Sequence, residues 1–110
     1  MLSLPPTLRI FLAAQPADLR KGFDGLGAMV RAALGDDPLS GHWFVFKNRK
    51  GDRLKILAWE PDGWCLWYKR LEQGVFSFPA VAADGPPRIE IRAAELAMLL
   101  DGVVLEKVQR

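Results

Sequence analysis

The stretch Lys47-Asn48-Arg49-Lys50-Gly51-Asp52-Arg53-Leu54-Lys55 sets five cations against one anion. A stripe of that density attracts polyanions even where the rest of a molecule is nearly neutral, and phosphate is the anion it suits. In the competing reading, Lys and Arg at a hairpin tip only solvate it and discourage edge-to-edge aggregation. Other reactive side chains are sparse. Asp18, Asp24, Asp36, Asp37, Asp52, Glu60 and Asp62 are available as carboxylates for a metal-dependent nuclease, but their spacing matches no metal-nuclease pattern. Most of them sit where caps and turns favour acids. His42 has no neighbouring cysteine or serine elbow, and Cys65 within a strand reads as a small hydrophobe. The run Gly22-x-x-Gly25-x-Gly27 has its lysine before the glycines instead of after them, unlike a phosphate-cradling loop. No catalytic residue, metal site or cofactor is expected.

The elements that would position the stripe follow from periodicity. Thr7 to Ala13 predicts a strand with Leu8, Ile10 and Leu12 on one face and Arg9, Phe11 and Ala13 on the other. Asp18 is placed to cap a turn leading to a helix over about Phe23 to Leu34, with Leu26, Met29, Val30, Ala33 and Leu34 as its apolar stripe and Gly35 closing it. His42 to Asn48, Arg53 to Trp59, Trp64 to Leu71 and Val75 to Phe78 then predict an antiparallel meander. With Gly63 as a bulge after Glu60-Pro61-Asp62, Lys55 faces Lys69, Ile56 faces Tyr68, Leu57 faces Trp67 and Ala58 faces Leu66. With Gly51 as the bulge of the preceding hairpin, Phe44 faces Ile56 and Phe46 faces Leu54. Phe44, Phe46, Leu54, Ile56, Ala58, Leu66 and Tyr68 would then form the core face against the first helix. The reverse face would carry Trp43, Val45, Lys47, Arg53, Lys55, Leu57, Trp59, Cys65, Trp67 and Lys69.

On that register Lys55 and Lys69 are like charges directly opposed, a destabilising pair that a bound anion would relieve. The expected DNA contacts are Arg20, Lys21, Lys47, Arg49, Lys50, Arg53, Lys55, Lys69 and Arg70. Trp43, Trp59, Trp64 and Trp67 read as core, with a stacking platform for unpaired bases as the alternative. Past a proline-rich loop from Pro79 to Pro87, Arg88 to Ile91 predicts a strand. A helix over about Ala93 to Asp101 follows, with Leu96, Leu99 and Leu100 facing inward and Gly102 ending it.

Composition sets the frame. The chain has 110 residues, half of them hydrophobic, and 15 Lys and Arg against 13 Asp and Glu, for a formal charge of +2. That describes one soluble domain spanning 1–110, of α+β class: a curved antiparallel meander packed with two short helices. The positive charge is concentrated in residues 1–70, which hold 11 basic and 7 acidic side chains. No apolar run approaches the ~20 residues of a membrane span. No signal-peptide pattern is seen at the start, and a single cysteine fits a reducing compartment, so a cytoplasmic protein is expected.

Three stretches carry a resemblance: Asp18-Leu19-Arg20-Lys21-Gly22-Phe23-Asp24-Gly25-Leu26, Asp37-Pro38-Leu39-Ser40-Gly41-His42-Trp43-Phe44-Val45-Phe46, and Trp64-Cys65-Leu66-Trp67-Tyr68-Lys69-Arg70-Leu71-Glu72-Gln73-Gly74-Val75-Phe76. In order and spacing they resemble TnpB, the small accessory protein of bacterial insertion sequence 66 elements. The resemblance implies a non-catalytic role in transposition beside a separate transposase, and it brings no settled set of functional residues. DNA is one implied partner. The other reading is a protein-interaction module in which Arg20, Lys21, Phe23 and Asp24 grip the transposase or another accessory subunit without touching DNA. Arg92 stands where many relatives have a Ser N-cap, which predicts a less well capped last helix.

Overall fold

A computed structural model of the chain describes residues 7–102. A five-stranded sheet is ordered β4-β3-β2-β1-β5, with β1 at Ile10–Ala13, β2 at Trp43–Lys47, β3 at Arg53–Glu60, β4 at Gly63–Arg70 and β5 at Arg88–Ile91. Helix α1, Phe23–Ala32, and helix α2, Ala93–Leu100, cover opposite faces. The fold is α+β as expected, and β2-β3-β4 is an antiparallel meander. The sheet as a whole is mixed. β1 runs parallel to β2, Phe11 beside Phe44, because the chain between them is spent on α1 and returns in the same direction. β5 then adds antiparallel to the free edge of β1.

Burial follows the alternation of β1. Ile10 and Leu12 join Val45, Leu54, Ile56, Phe76, Ile91, Leu96 and Leu99 under α2, while Phe11 and Ala13 join Phe44, Phe46 and Leu57 under Leu26 and Val30 of α1. Each fully buried Leu, Ile, Val or Phe contributes roughly 1.5–3 kcal/mol, so both sides of the sheet are structural cores. The four tryptophans pack at the margins of these cores or on one another. Trp43 and Trp67 lie against the α2 side and Trp64 against the α1 side, with Trp59 edge-on to Trp64 at 5.0 Å.

The expected registers are each displaced by one residue. Ala58 pairs with Cys65, Leu57 with Leu66, Ile56 with Trp67 and Lys55 with Tyr68. On the other side Phe44 pairs with Leu57 and Phe46 with Lys55. Glu60 pairs with Gly63, so Pro61-Asp62 is a two-residue loop and Gly63 is an ordinary strand residue, not a bulge. In the preceding hairpin Gly51 does take positive φ, +84°, but the ladder extends one step further, with the Asn48 N–H donating to Arg53 O at 3.2 Å. A slip of one residue turns every side chain of a strand over. β3 alone is inverted relative to expectation: Leu54, Ile56 and Ala58 face α2, whereas Lys55 and Leu57 face α1. Lys55 and Lys69 therefore lie on opposite faces, and the opposed lysine pair does not exist.

Smaller corrections follow. Val75–Phe78 is not a strand: Pro79 follows at once, and its backbone makes one anchoring bond, from Phe76 N–H to Gly51 O at 2.8 Å, that plants the Phe76 ring in the core. β1 begins at Ile10, not Thr7. Asp18 caps its own turn, accepting from Arg20 N–H at 3.0 Å, but the N-cap of α1 is Gly22. Ala33 is exposed, because α1 ends at Ala32 and Gly35 at φ +67° turns the chain. Tyr68 is 49% exposed and not core. The start of α2 is held by Glu95, whose carboxylate accepts from Arg92 N–H at 2.9 Å, while the arginine has no acceptor to return the bond. The charged tail after Gly102 lies outside the described residues.

Candidate nucleic-acid interface

The hairpin tip between β2 and β3 is built on Asn48. Its Oδ1 accepts from Gly51 N–H at 2.9 Å and Arg53 N–H at 3.0 Å, and its Nδ2 donates to Asp52 at 2.8 Å. That bond holds the Asp52 carboxyl below its ordinary pKa. Gly51 is buried, and Leu71 N–H donates to Asp52 O at 2.8 Å, so the tip is braced from behind. Arg49, Lys50 and Arg53 are thereby presented from a fixed turn.

Facing the tip is the segment Pro16–Arg20, tied to the sheet by Ala17 N–H donating to Lys47 O at 2.8 Å. Between the two lies a cleft of about 650 Å³. Arg20, Arg49, Lys50, Arg53 and Lys55 line it together with Tyr68 and Asn48, and Asp18 is the one carboxylate of the lining. Asp18 is already engaged: Arg20 holds it through Nε and Nη2, the latter at 2.8 Å, and this pairing keeps its carboxyl far below the usual range. Lys50 reaches Asp52 only at 4.0 Å. Among the described residues Arg49, Arg53 and Lys55 form no salt bridge.

Lys55 is the unusual member. It is a lysine 9% exposed, with Nζ donating to Lys21 O at 3.1 Å and standing 5.0 Å from the centre of the Tyr68 ring. A carbonyl dipole and a ring quadrupole offset part of the desolvation of that ammonium, and no carboxylate among the described residues forms a salt bridge with it. Arg53 Nη1 donates to Tyr68 Oη at 3.1 Å. Arg53 is also directly opposite Arg70, so a like-charge pair exists after all, one step from where it was expected. Arg70 is turned toward Glu72 at 3.2 Å.

Of the nine expected contacts, the structure gathers Arg20, Arg49, Lys50, Arg53 and Lys55 around one cleft, with Arg70 adjoining on the same side. Lys21 contributes its backbone carbonyl. Lys47 and Lys69 are on the other face. Lys47 Nζ stands 4.7 Å over the Phe78 ring, and burial lowers its pKa; Lys69 Nζ donates to Leu100 O at 3.3 Å, at the C-terminal end of α2. Sequence reasoning missed Tyr68, Asn48 and Asp18 as parts of the site. The Asn48-x-x-Gly51 spacing was the available signal for the first of the two polar residues, since Asn preceding a glycine turn is a side-chain-capped turn.

The remaining reactive groups are committed elsewhere. His42 Nδ1 accepts from Arg9 N–H at 3.0 Å. The Cys65 thiol donates to Glu60 at 3.1 Å, and that bond raises its pKa, the opposite of an activated thiolate. No group of three His, Cys, Asp or Glu side chains among the described residues is arranged to hold a metal ion. No helix among them is long and apolar enough to cross a membrane.

The model of the IS66 Orf2-like protein family matches residues 8–110. The chain belongs to that family. Protein y4jC of Sinorhizobium fredii, described as uncharacterized, is 41% identical over 94% of this chain and 86% of its own length. Protein y4hO of the same organism, described likewise, is 38% identical over 94% of this chain and 87% of its own length. No solved structure matches. The family match agrees with the resemblance carried by the three sequence stretches, and all three fall within residues 8–110.

Proposed function

We propose that this IS66 Orf2-like protein is a non-catalytic accessory factor in transposition of an insertion sequence 66 type element, and that it contacts DNA through the cleft beneath the β2–β3 hairpin tip. Family membership supports the transposition role, and the family is not a known catalytic one. One observation carries the DNA contact: Arg49, Arg53 and Lys55 converge on a single recess, and no described carboxylate pairs with them. Cations gathered in greater number than the nearby Asp18 and Asp52 offset repel one another until a polyanion arrives, and release of its counterions drives the association.

The test is retention on a DNA column at low ionic strength. The wild type is expected to be held and to elute with salt. Reversing Arg49, Lys50 and Arg53 to Glu is expected to abolish retention while co-purification with the element's transposase persists. A wild-type protein that flows through at low salt overturns the reading. A protein-interaction module is the second reading, favoured by Phe23, which is 45% exposed immediately after Lys21 and Gly22. On that reading Phe23→Ser with Arg20→Glu loses the transposase, and charge reversal at the tip changes nothing.

A further inference from the structure

We propose that the cleft is selective for unpaired DNA, taking the phosphate of a single-stranded segment onto Lys55 and Arg53 with a base laid against Tyr68. This rests on the DNA-contact reading and narrows it. Two features of the recess point away from a duplex. The charge lies in depth as well as at the rim: Arg49 and Lys50 are exposed at the mouth, whereas Lys55 is buried among the lining residues. A duplex is a stiff, convex rod whose phosphates keep a fixed distance from stacked bases; laid across the mouth it meets Arg49 and Lys50 without sending a phosphate down to Lys55. A single strand has no such constraint, because its phosphates and bases turn independently.

The second feature is Tyr68. A half-exposed ring between two cations, the Lys55 ammonium on the ring and the Arg53 guanidinium on its hydroxyl, is the pairing of aromatic surface with positive charge by which single strands are held. Tyr68 has no core to fill at that exposure, and it sits on the same sheet face as the cations because β4 alternates Leu66, Tyr68, Arg70 toward α1. A volume of about 650 Å³ is also enough to admit a base with its phosphate.

The experiment compares a labelled oligothymidylate of about 12 nucleotides, within the span single-strand sites cover, with a duplex of equal length by fluorescence anisotropy at low salt. The wild type is expected to bind the single strand more tightly. Tyr68→Ala is expected to weaken single-strand binding by roughly 5- to 150-fold, the worth of one stacked base, and to leave duplex binding unchanged. Tyr68→Phe, which keeps the ring, is expected to retain the preference. Lys55→Met should erase it as well; Tyr68 is exposed enough that its variants stay informative if Lys55→Met does not fold. Equal or tighter binding of the duplex, or a Tyr68→Ala loss equal on both forms, overturns the inference. If duplex binds and charge reversal at the tip abolishes it, the DNA-contact reading stands while this one falls; if neither form binds, both fall.

Discussion

Cys65 and Asp18 show how neighbouring groups assign opposite fates to two ionisable residues. The Cys65 thiol donates to the Glu60 carboxylate, so ionising the sulfur would set two anions side by side and its pKa is raised. Alkylation of Cys65 by iodoacetamide at mildly alkaline pH should therefore be slow, and Glu60→Gln should speed it; mass spectrometry of timed aliquots checks this, and an unchanged rate would detach the thiol from Glu60. Asp18 lies at the other extreme, its carboxyl held down chiefly by the Arg20 side chain. A depressed folded value means that the unfolded chain takes the proton first. The contribution is complete above the unfolded value of about 3.9, shrinks as pH falls below it, and vanishes once pH passes the folded value. Asp18→Asn should lower the urea midpoint slightly at neutral pH and make stability less steeply dependent on pH below about 4. At this scale the sequence was only partly legible. The charges of the stripe could be named from residue types, but their partners could not, because Lys55 finds its acceptor 34 residues away at Lys21.

Among the elements, the hairpin tip decides both the register and the presentation of the cations. Gly51 holds φ +84°, and a Cβ there would stand 3.3 Å from the Val75 Cβ. Gly51→Ala should destabilise by about 1–2 kcal/mol from the left-handed backbone, and more where Val75 cannot move. Asn48→Ala takes the acceptor from the Arg53 N–H, one of two acceptors from the Gly51 N–H, which keeps the backbone carbonyl of residue 48, and the donor to Asp52, and should remove about 1–3 kcal/mol. Urea unfolding of both variants tests this, and an Asn48→Ala protein as stable as the wild type would mean that the turn does not depend on that side chain. The same hairpin explains why strand positions were readable and strand faces were not. Arg53-Leu54-Lys55-Ile56-Leu57-Ala58-Trp59-Glu60 has apolar residues at both odd and even positions because β3 is central and buried on both sides, so alternation cannot say which set faces α1. Loop length was left to decide, and the glycine after each turn read as a bulge where only Gly51 adopts positive φ. The two errors compensate, leaving β2 and β4 on their expected faces and turning over β3 alone. The parallel β1–β2 pairing was hidden for another reason: a ten-residue helix between two short strands fits either a crossover or a return.

For the molecule as a whole, the consequence is a division of labour between the two sheet faces. The α2 side takes Lys47 and Lys69 out of service by seating one on an aromatic ring and the other on a helix-end carbonyl. The α1 side leaves its cations around an open cleft. Net charge near zero thus hides a polar arrangement that a salt titration can read, since the dependence of binding on salt counts only the cations that displace counterions. Four cleft cations not held by a bidentate acid pair, Arg49, Lys50, Arg53 and Lys55, set an expected slope of log K against log salt of about −2 to −3 on single-stranded DNA, at ~0.7 per neutralised phosphate. Arg53→Met should flatten the slope by roughly 0.7, whereas Lys47→Met and Lys69→Met should leave it where it is. The comparison is made within one fold and one charge class, so the three substitutions remove the same formal charge and differ only in face. A slope that falls equally for all three would mean that DNA feels the overall charge of the molecule and not the cleft.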